Sequence, residues 1–115
     1  MGACDFYNLY IGKEEPLQAF YNEVTNAKHE HGHGGYTGTI AEKDRFIMIE
    51  CPKGISPEVY VDNVMQDQSS RINDKHGPAG CIEYKRTYLK NLRVERGYRY
   101  NKGIRAYLFF GVASS

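Results

Sequence analysis

The sequence predicts an α+β fold in which two helices cover one face of a mainly antiparallel sheet. Short segments rich in branched and aromatic residues alternate with two longer segments whose apolar residues recur every three or four positions. Acidic residues and proline stand at the start of both longer segments, as is common in the first turn of a helix. Glycine or proline follows most segments, and both residues end regular structure.

The first predicted strand covers residues 4–11, CDFYNLYI, in which apolar and aromatic residues occupy both faces. This pattern is typical of a strand inside a sheet rather than at its edge. The first predicted helix covers residues 15–31, since Pro16 follows two acids and Gly32 is a natural end. Its apolar face is formed by one residue every three or four positions, at Leu17, Phe20, Val24 and Ala27.

A β-hairpin is predicted over residues 36–42 and 45–50, with a short polar turn at Lys43 and Asp44. In this hairpin FIMIE is expected to be the more buried strand, and Thr37 and Thr39 share a polar face. Lys43 is interpreted as a solvated turn residue.

A second helix is predicted over residues 57–75, because Ser56 is a typical N-cap and proline follows it. Strands are then predicted at 80–85 and 104–112. The last strand is expected to bury its aromatic residues in a core or an interface. The span between the strands, 86–103, predicts either a loop or a twisted hairpin arm.

This order of elements indicates a ferredoxin-like split βαβ sandwich, with an α+β roll of different strand order as the alternative. A chain of 115 residues is expected to form a single domain, residues 1–115. The longest strongly apolar run, residues 106–113, is too short to span a bilayer, and residues 1–5 do not resemble a signal peptide. A cytoplasmic protein without a membrane partner is therefore expected.

The three cysteines are odd in number and never form a C-x-x-C pair. This argues against a disulfide framework and against a zinc ribbon. Each cysteine flanks or enters a predicted strand, so a buried reduced thiol is predicted for all three, Cys4, Cys51 and Cys81.

Three histidines alternate before a glycine cluster, at His29, His31 and His33. A metal site is not predicted, because side chains two positions apart on a helix diverge by about 200°. No cofactor is expected either. Because His31 continues the apolar face of the first helix, it is expected to face inward or into a cleft.

The glycines after the first helix allow the backbone to approach another group closely, and their N–H groups could bind an anion. Their spacing is not that of a phosphate-binding Walker loop. In a split βαβ fold, this loop and the loop at 76–80 lie at the same end of the sheet. We therefore predict one ligand-binding cleft there, with eight residues: His31, His33, Gly34, Gly35, Tyr36, Thr37, Lys75 and His76.

A basic arm covers residues 85–105, which hold eight of the fifteen Lys and Arg residues. Tyrosines interleave with these cations, a mixture suited to a nucleotide base or to single-stranded nucleic acid. Four arm residues are added to the predicted binding site: Arg93, Arg96, Tyr98 and Arg99. The arm could also be a solvated hairpin or dock on an acidic subunit surface.

Three segments, GYTGTIAEKD at 35–44, DKHGPAG at 74–80 and YLFFGVASS at 107–115, resemble a pattern in small uncharacterised proteins of tailed bacteriophages. The resemblance implies a virus-encoded accessory protein in the bacterial cytoplasm. Such proteins often block a host component, including nucleotide signals of antiviral defence.

The favoured function is a homo-oligomeric binding protein for an anionic, nucleotide-like ligand, possessing no assigned catalytic residue. Single-stranded nucleic-acid binding through the basic arm is one alternative. A histidine-dependent hydrolase is another, since Asp74 or Glu42 with a histidine could transfer protons. Enzyme activity is the less expected outcome, because the sequence lacks a G-x-S-x-G nucleophile motif.

Overall fold

The structure, a computed structural model, describes residues 2–32, 37–67, 71–85, 88–89 and 104–114. Its strands are β1 (Ala3–Gly12), β2 (Phe46–Met48), β3 (Ala79–Glu83) and β4 (Arg105–Ser114). Its helices are α1 (Pro16–His31) and α2 (Pro57–Gln66), and two short 3₁₀ turns lie at Ile40–Glu42 and Arg71–Asn73. This is an α+β fold with an open sheet and two helices, compatible with the ferredoxin-like split βαβ arrangement.

The described strands form one mixed sheet in the order β1-β4-β3-β2. β4 is antiparallel to both β1 and β3, whereas β2 and β3 are parallel. The prediction that the first strand lies inside the sheet is therefore wrong: β1 is an edge strand. β1 has apolar residues on both faces because the sheet is covered on both sides.

The two helices lie on opposite faces of the sheet, which corrects the expectation that both cover one face. Phe109 of β4 packs in the core with α1, whereas its neighbours Leu108 and Phe110 pack in the core with α2. Adjacent residues of a strand point to opposite faces, so the two cores are separated by the sheet.

Chain direction explains this placement. β1, β2 and β3 point the same way, so the connections through α1 and α2 are both crossovers between parallel strands. The first crossover leads from β1 at one edge of the sheet to β2 at the other edge, and the second leads back from β2 to its neighbour β3. Because such connections are right-handed, two that travel in opposite directions place their helices on opposite faces.

The core on the α1 side is aromatic. The ring of Phe20 lies 5.0 Å from that of Phe46 and 5.8 Å from that of Phe109, measured between centroids. Tyr107 is fully buried on the same face, and its hydroxyl donates to the carbonyl of Glu14 at 2.9 Å. The prediction that the aromatic residues of the last strand are core or interface residues is confirmed.

The helix predictions are confirmed at their starts. Pro16 begins α1, and Ser56 caps α2 by accepting a hydrogen bond from the N–H of Val59 at 3.4 Å. α2 ends at Gln66, earlier than the predicted end at residue 75, and Ile72, which the prediction placed in this helix, is buried from the second 3₁₀ turn.

The predicted hairpin at 36–50 is wrong where the structure describes it. Residues 40–42 form a 3₁₀ turn, and only residues 46–48 form a strand, β2, at the edge of the sheet. The turn forms because Thr39 accepts a hydrogen bond from the N–H of Ala41 at 3.2 Å, which caps it locally. FIMIE is only half-buried, since an edge strand packs on one neighbour.

Two of the three cysteines are buried and free, as predicted, at positions 51 and 81. Cys4 is also free but exposed, because it lies at the open end of the edge strand. The basic arm lies outside the described residues apart from its ends at residues 85, 88–89 and 104–105. In the described ranges, no helix has both the length and the apolar character needed to cross a membrane.

Candidate functional site

A cleft of about 450 Å³ lies at the end of the sheet where β2 and β3 begin and β4 ends. We call it the Lys75 cleft; seven residues line it: Glu42, Asp44, Arg45, Lys75, His76, Gly77 and Ser114. Its volume lies within the usual range for small-ligand sites.

Parallel pairing brings the two walls of the Lys75 cleft together. The first residues of β2 and β3 lie side by side, so the loops that lead into these strands meet at one edge. The N–H of Ala79 donates to the carbonyl of Arg45 at 3.0 Å and fixes this contact. The N–H of Gly38 donates to the carbonyl of Ser114 at 2.8 Å, which ties the first loop to the end of β4.

Lys43 is the cation that holds the second loop in place. Its Nζ donates to the carbonyls of Gly77, Lys75 and Asp74 at 2.8, 3.2 and 3.3 Å. Only 5% of Lys43 is exposed, and burial lowers the pKa of its ammonium group, partly opposed by the nearby Asp74 carboxylate. The interpretation of Lys43 as a solvated turn residue is therefore wrong, because the loop carbonyls replace its water.

A second hydrogen-bond network fixes the first loop. Glu42 Oε2 accepts from the hydroxyl of Thr37 at 2.7 Å and from its N–H at 3.2 Å. The hydroxyls of Thr37 and Thr39 lie 2.8 Å apart. These threonines were predicted to share a strand face, and they do lie together, but in an irregular loop that precedes the 3₁₀ turn.

The formal charges that line the cleft are balanced, with Arg45 and Lys75 against Glu42 and Asp44. Asp44 and Arg45 form an exposed ion pair at 3.2 Å. Just outside the lining, the carboxylate of Asp74 accepts from the N–H of His76 at 2.9 Å. Among the described residues, the side chains of Lys75 and His76 have no hydrogen-bond or ion-pair partner, so both are open to a ligand.

The glycines described after α1 do not present free N–H groups to an anion. Gly32 and Gly38 have positive φ angles of 87° and 71°. The N–H of Gly32 donates to the carbonyl of Lys28 at 2.8 Å, and that of Gly38 is used by Ser114. At these two positions the anion-nest prediction is wrong, because both donors serve to end the helix and anchor the loop.

The structure brings together three of the predicted site residues. Lys75 and His76 line the cleft, and Thr37 contacts it through Glu42. His31 does not face inward as predicted: it is exposed at the end of α1, with Nε2 3.7 Å from a carboxylate oxygen of Glu30. The other predicted residues lie outside the described ranges: His33, Gly34, Gly35, Tyr36, Arg93, Arg96, Tyr98 and Arg99.

Sequence reasoning missed Arg45 and the role of Lys43. Both belong to the segment interpreted as a hairpin, Lys43 in its turn and Arg45 as the first residue of its second strand. A detectable signal is their position directly before the short strand β2, since a loop that enters a parallel strand lies beside the loop that enters its neighbour.

The described part of the cleft holds no preformed hydrogen bond between a carboxylate and an imidazole. Asp74 accepts from the main chain of His76, and no described carboxylate is hydrogen-bonded to the imidazole of His76. Across the described ranges, no three His, Cys, Asp or Glu side chains are grouped closely enough to hold a metal ion.

Comparison with known proteins adds no assignment. No protein-family model, curated protein or solved structure matches this chain.

Proposed function

We propose that this chain is a binding protein for a small anionic, nucleotide-like ligand, whose phosphate is held in the Lys75 cleft. The observation that carries the proposal is the pair of neighbouring side chains, Lys75 and His76, that line a cleft of ligand size without a described partner. An ammonium group and an imidazole are suitable donors to a phosphate oxygen.

Hydrogen bonds to two of the nearby acids reduce their repulsion of an anion, although their charge remains. Glu42 accepts two hydrogen bonds from Thr37, and Asp74 accepts one from the main chain. Lys43 adds a fixed positive charge behind the loop that carries Lys75 and His76. Lys75 is thus a cation left open to the cleft.

The proposal extends to residues outside the described ranges. His33, Tyr36 and the glycines between them would complete the phosphate site, and the tyrosines and arginines of the basic arm would hold the base. The resemblance to phage accessory proteins supports action in the cytoplasm of a host bacterium, as a homo-oligomer that sequesters a nucleotide signal of defence.

Titration calorimetry against nucleotides, cyclic dinucleotides and inorganic phosphate tests this proposal. A charge-assisted hydrogen bond contributes about 1.5–3 kcal/mol, so Lys75→Ala should raise the Kd at least about tenfold. Lys53→Ala is the matched control, because Lys53 is exposed in the loop after β2, at the other end of that strand. Absence of binding to every ligand, or equal loss in both variants, would contradict the proposal.

The same panel separates the two alternatives. Single-stranded oligonucleotides should bind with an affinity that falls steeply with salt if the basic arm is the main site. Chromatography of each ligand after incubation detects turnover. Hydrolysis that disappears in His31→Ala or His76→Ala would favour the histidine-dependent hydrolase.

A further inference from the structure

The two edges of the sheet differ in length and protection. β2 closes one edge with three residues, whereas β1 forms the other with ten. Among the described residues, β1 pairs with β4 alone. Edge strands are commonly protected by lysine, by proline or by being short, and β1 has none of these features. Its main-chain donors and acceptors are therefore suited to pairing with another strand.

The side chains along this edge are apolar and incompletely covered. Tyr7 is 49% exposed, and Leu9 and Ile11 on the same face are half-buried against the α2 core. Asp5 is the charged residue of the strand, and Lys13 follows the strand directly. The edge thus has an acid near one end, a base at the other and apolar side chains between them.

We propose that β1 pairs antiparallel with β1 of a second copy of this chain, across a twofold axis at Leu9. A twofold interface needs a self-complementary surface, and this register supplies one. It places Asp5 opposite Lys13 of the second copy at both ends, Tyr7 opposite Ile11, and Leu9 opposite Leu9. Opposite charges and aromatic with branched side chains are favourable cross-strand pairs.

The charges select this register over its neighbours. An axis at Asn8 would place Asp5 opposite Ile11, and an axis at Tyr7 would place it opposite Leu9. Each shift sets the carboxylate against an apolar side chain and leaves Lys13 without an acid. The paired edges would join the two sheets into one continuous sheet. This inference rests on the proposed homo-oligomeric state and is independent of the ligand.

Sedimentation velocity across a concentration series, with circular dichroism as a check of folding, gives the first test. The wild-type protein should be a dimer. Asp5→Lys sets lysine against Lys13 at both ends and should weaken dimerisation by about tenfold. Asp5→Lys with Lys13→Asp restores opposite charges and should recover the wild-type affinity. Equal weakening in the single and double variants would overturn the register.

A cysteine pair tests the position of the axis directly. In a Cys4→Ser background, Leu9→Cys should form an intermolecular disulfide under mild oxidation, because residues directly opposite each other in antiparallel strands are within bridging distance. Tyr7→Cys should not, since the two copies of residue 7 would lie roughly 13 Å apart along the strands. A dimer that forms no disulfide at position 9 would overturn the β1 interface but not the homo-oligomeric state. A monomer would overturn both.

Discussion

Replacing Lys43 by methionine tests whether this buried cation stabilises the fold. The variant keeps the apolar stem but removes the donor to three loop carbonyls. The carbonyl of Asp74 still accepts a hydrogen bond from the N–H of Gly77. The carbonyls that lose their hydrogen bonds in the variant are therefore mainly those of Lys75 and Gly77. A buried hydrogen bond to a charged group contributes about 1.5–3 kcal/mol, and removing the cost of burying the ammonium offsets part of this loss.

We therefore expect Lys43→Met to lower the free energy of unfolding by about 2–3 kcal/mol, which for a domain of this size lowers Tm by about 10 °C. Urea unfolding followed by circular dichroism measures the change. Arg45→Gln is the control, since it also removes one positive charge, but from an exposed ion pair whose loss should cost less than about 1 kcal/mol. Most surface substitutions change the free energy of unfolding by less than about 0.5 kcal/mol. A Lys43→Met variant whose free energy of unfolding differs from that of the wild type by no more than this amount would refute the reasoning.

Three further predictions concern stability. Gly80→Ala should cost about 1–3 kcal/mol by urea unfolding, because its Cβ would lie 2.6 Å from the ring of Phe110. Ser56→Ala should cost about 1 kcal/mol in the same assay through loss of the α2 cap, and Ser56→Asp, which keeps a capping oxygen, should recover most of it. Burial raises the pKa of both Cys81 and Tyr107 to about 12, above the 9.0 and 10.0 of the exposed groups. The folded state then holds protons that the unfolded state releases, so the free energy of unfolding should fall by about 1.4 kcal/mol per pH unit for each group, from pH 9 towards 12 for Cys81 and from pH 10 towards 12 for Tyr107. Cys81→Ala should make this decline shallower, and an unchanged slope would contradict the assignment.

Local signals predicted the starts of both helices. The signals at these starts are Pro16 after two acids and the Ser56-Pro57 pair. Each acts within one turn of its helix, so the local sequence contains the information needed to place the helix start. The glycine end of α1 is equally local. His76 and Lys75 were found because they follow a helix and precede a strand, and a loop at that position lies at a sheet end in any fold of this class.

Features that depend on distant contacts were not predicted. The edge position of β1 follows from its pairing with β4, and the placement of α2 follows from the parallel pairing of β2 with β3. The function of Lys43 depends on carbonyls more than thirty positions away. Thr37 and Thr39 resemble strand residues by composition, and their hydrogen bonds with Glu42 and Ala41 favour the turn instead.

The pairing of β4 has a consequence for synthesis on the ribosome. β4 lies between β1 and β3, yet it is the last of the described strands to be made. Residues that pair between β1 and β4, such as Gly12 and Arg105, are far apart in the sequence, so β1 must wait for the synthesis of β4 before it gains this partner. Contacts of such long range slow folding, and an emerging β1 exposes apolar side chains until β4 arrives. The complete sheet should therefore form only after β4 has emerged from the ribosome.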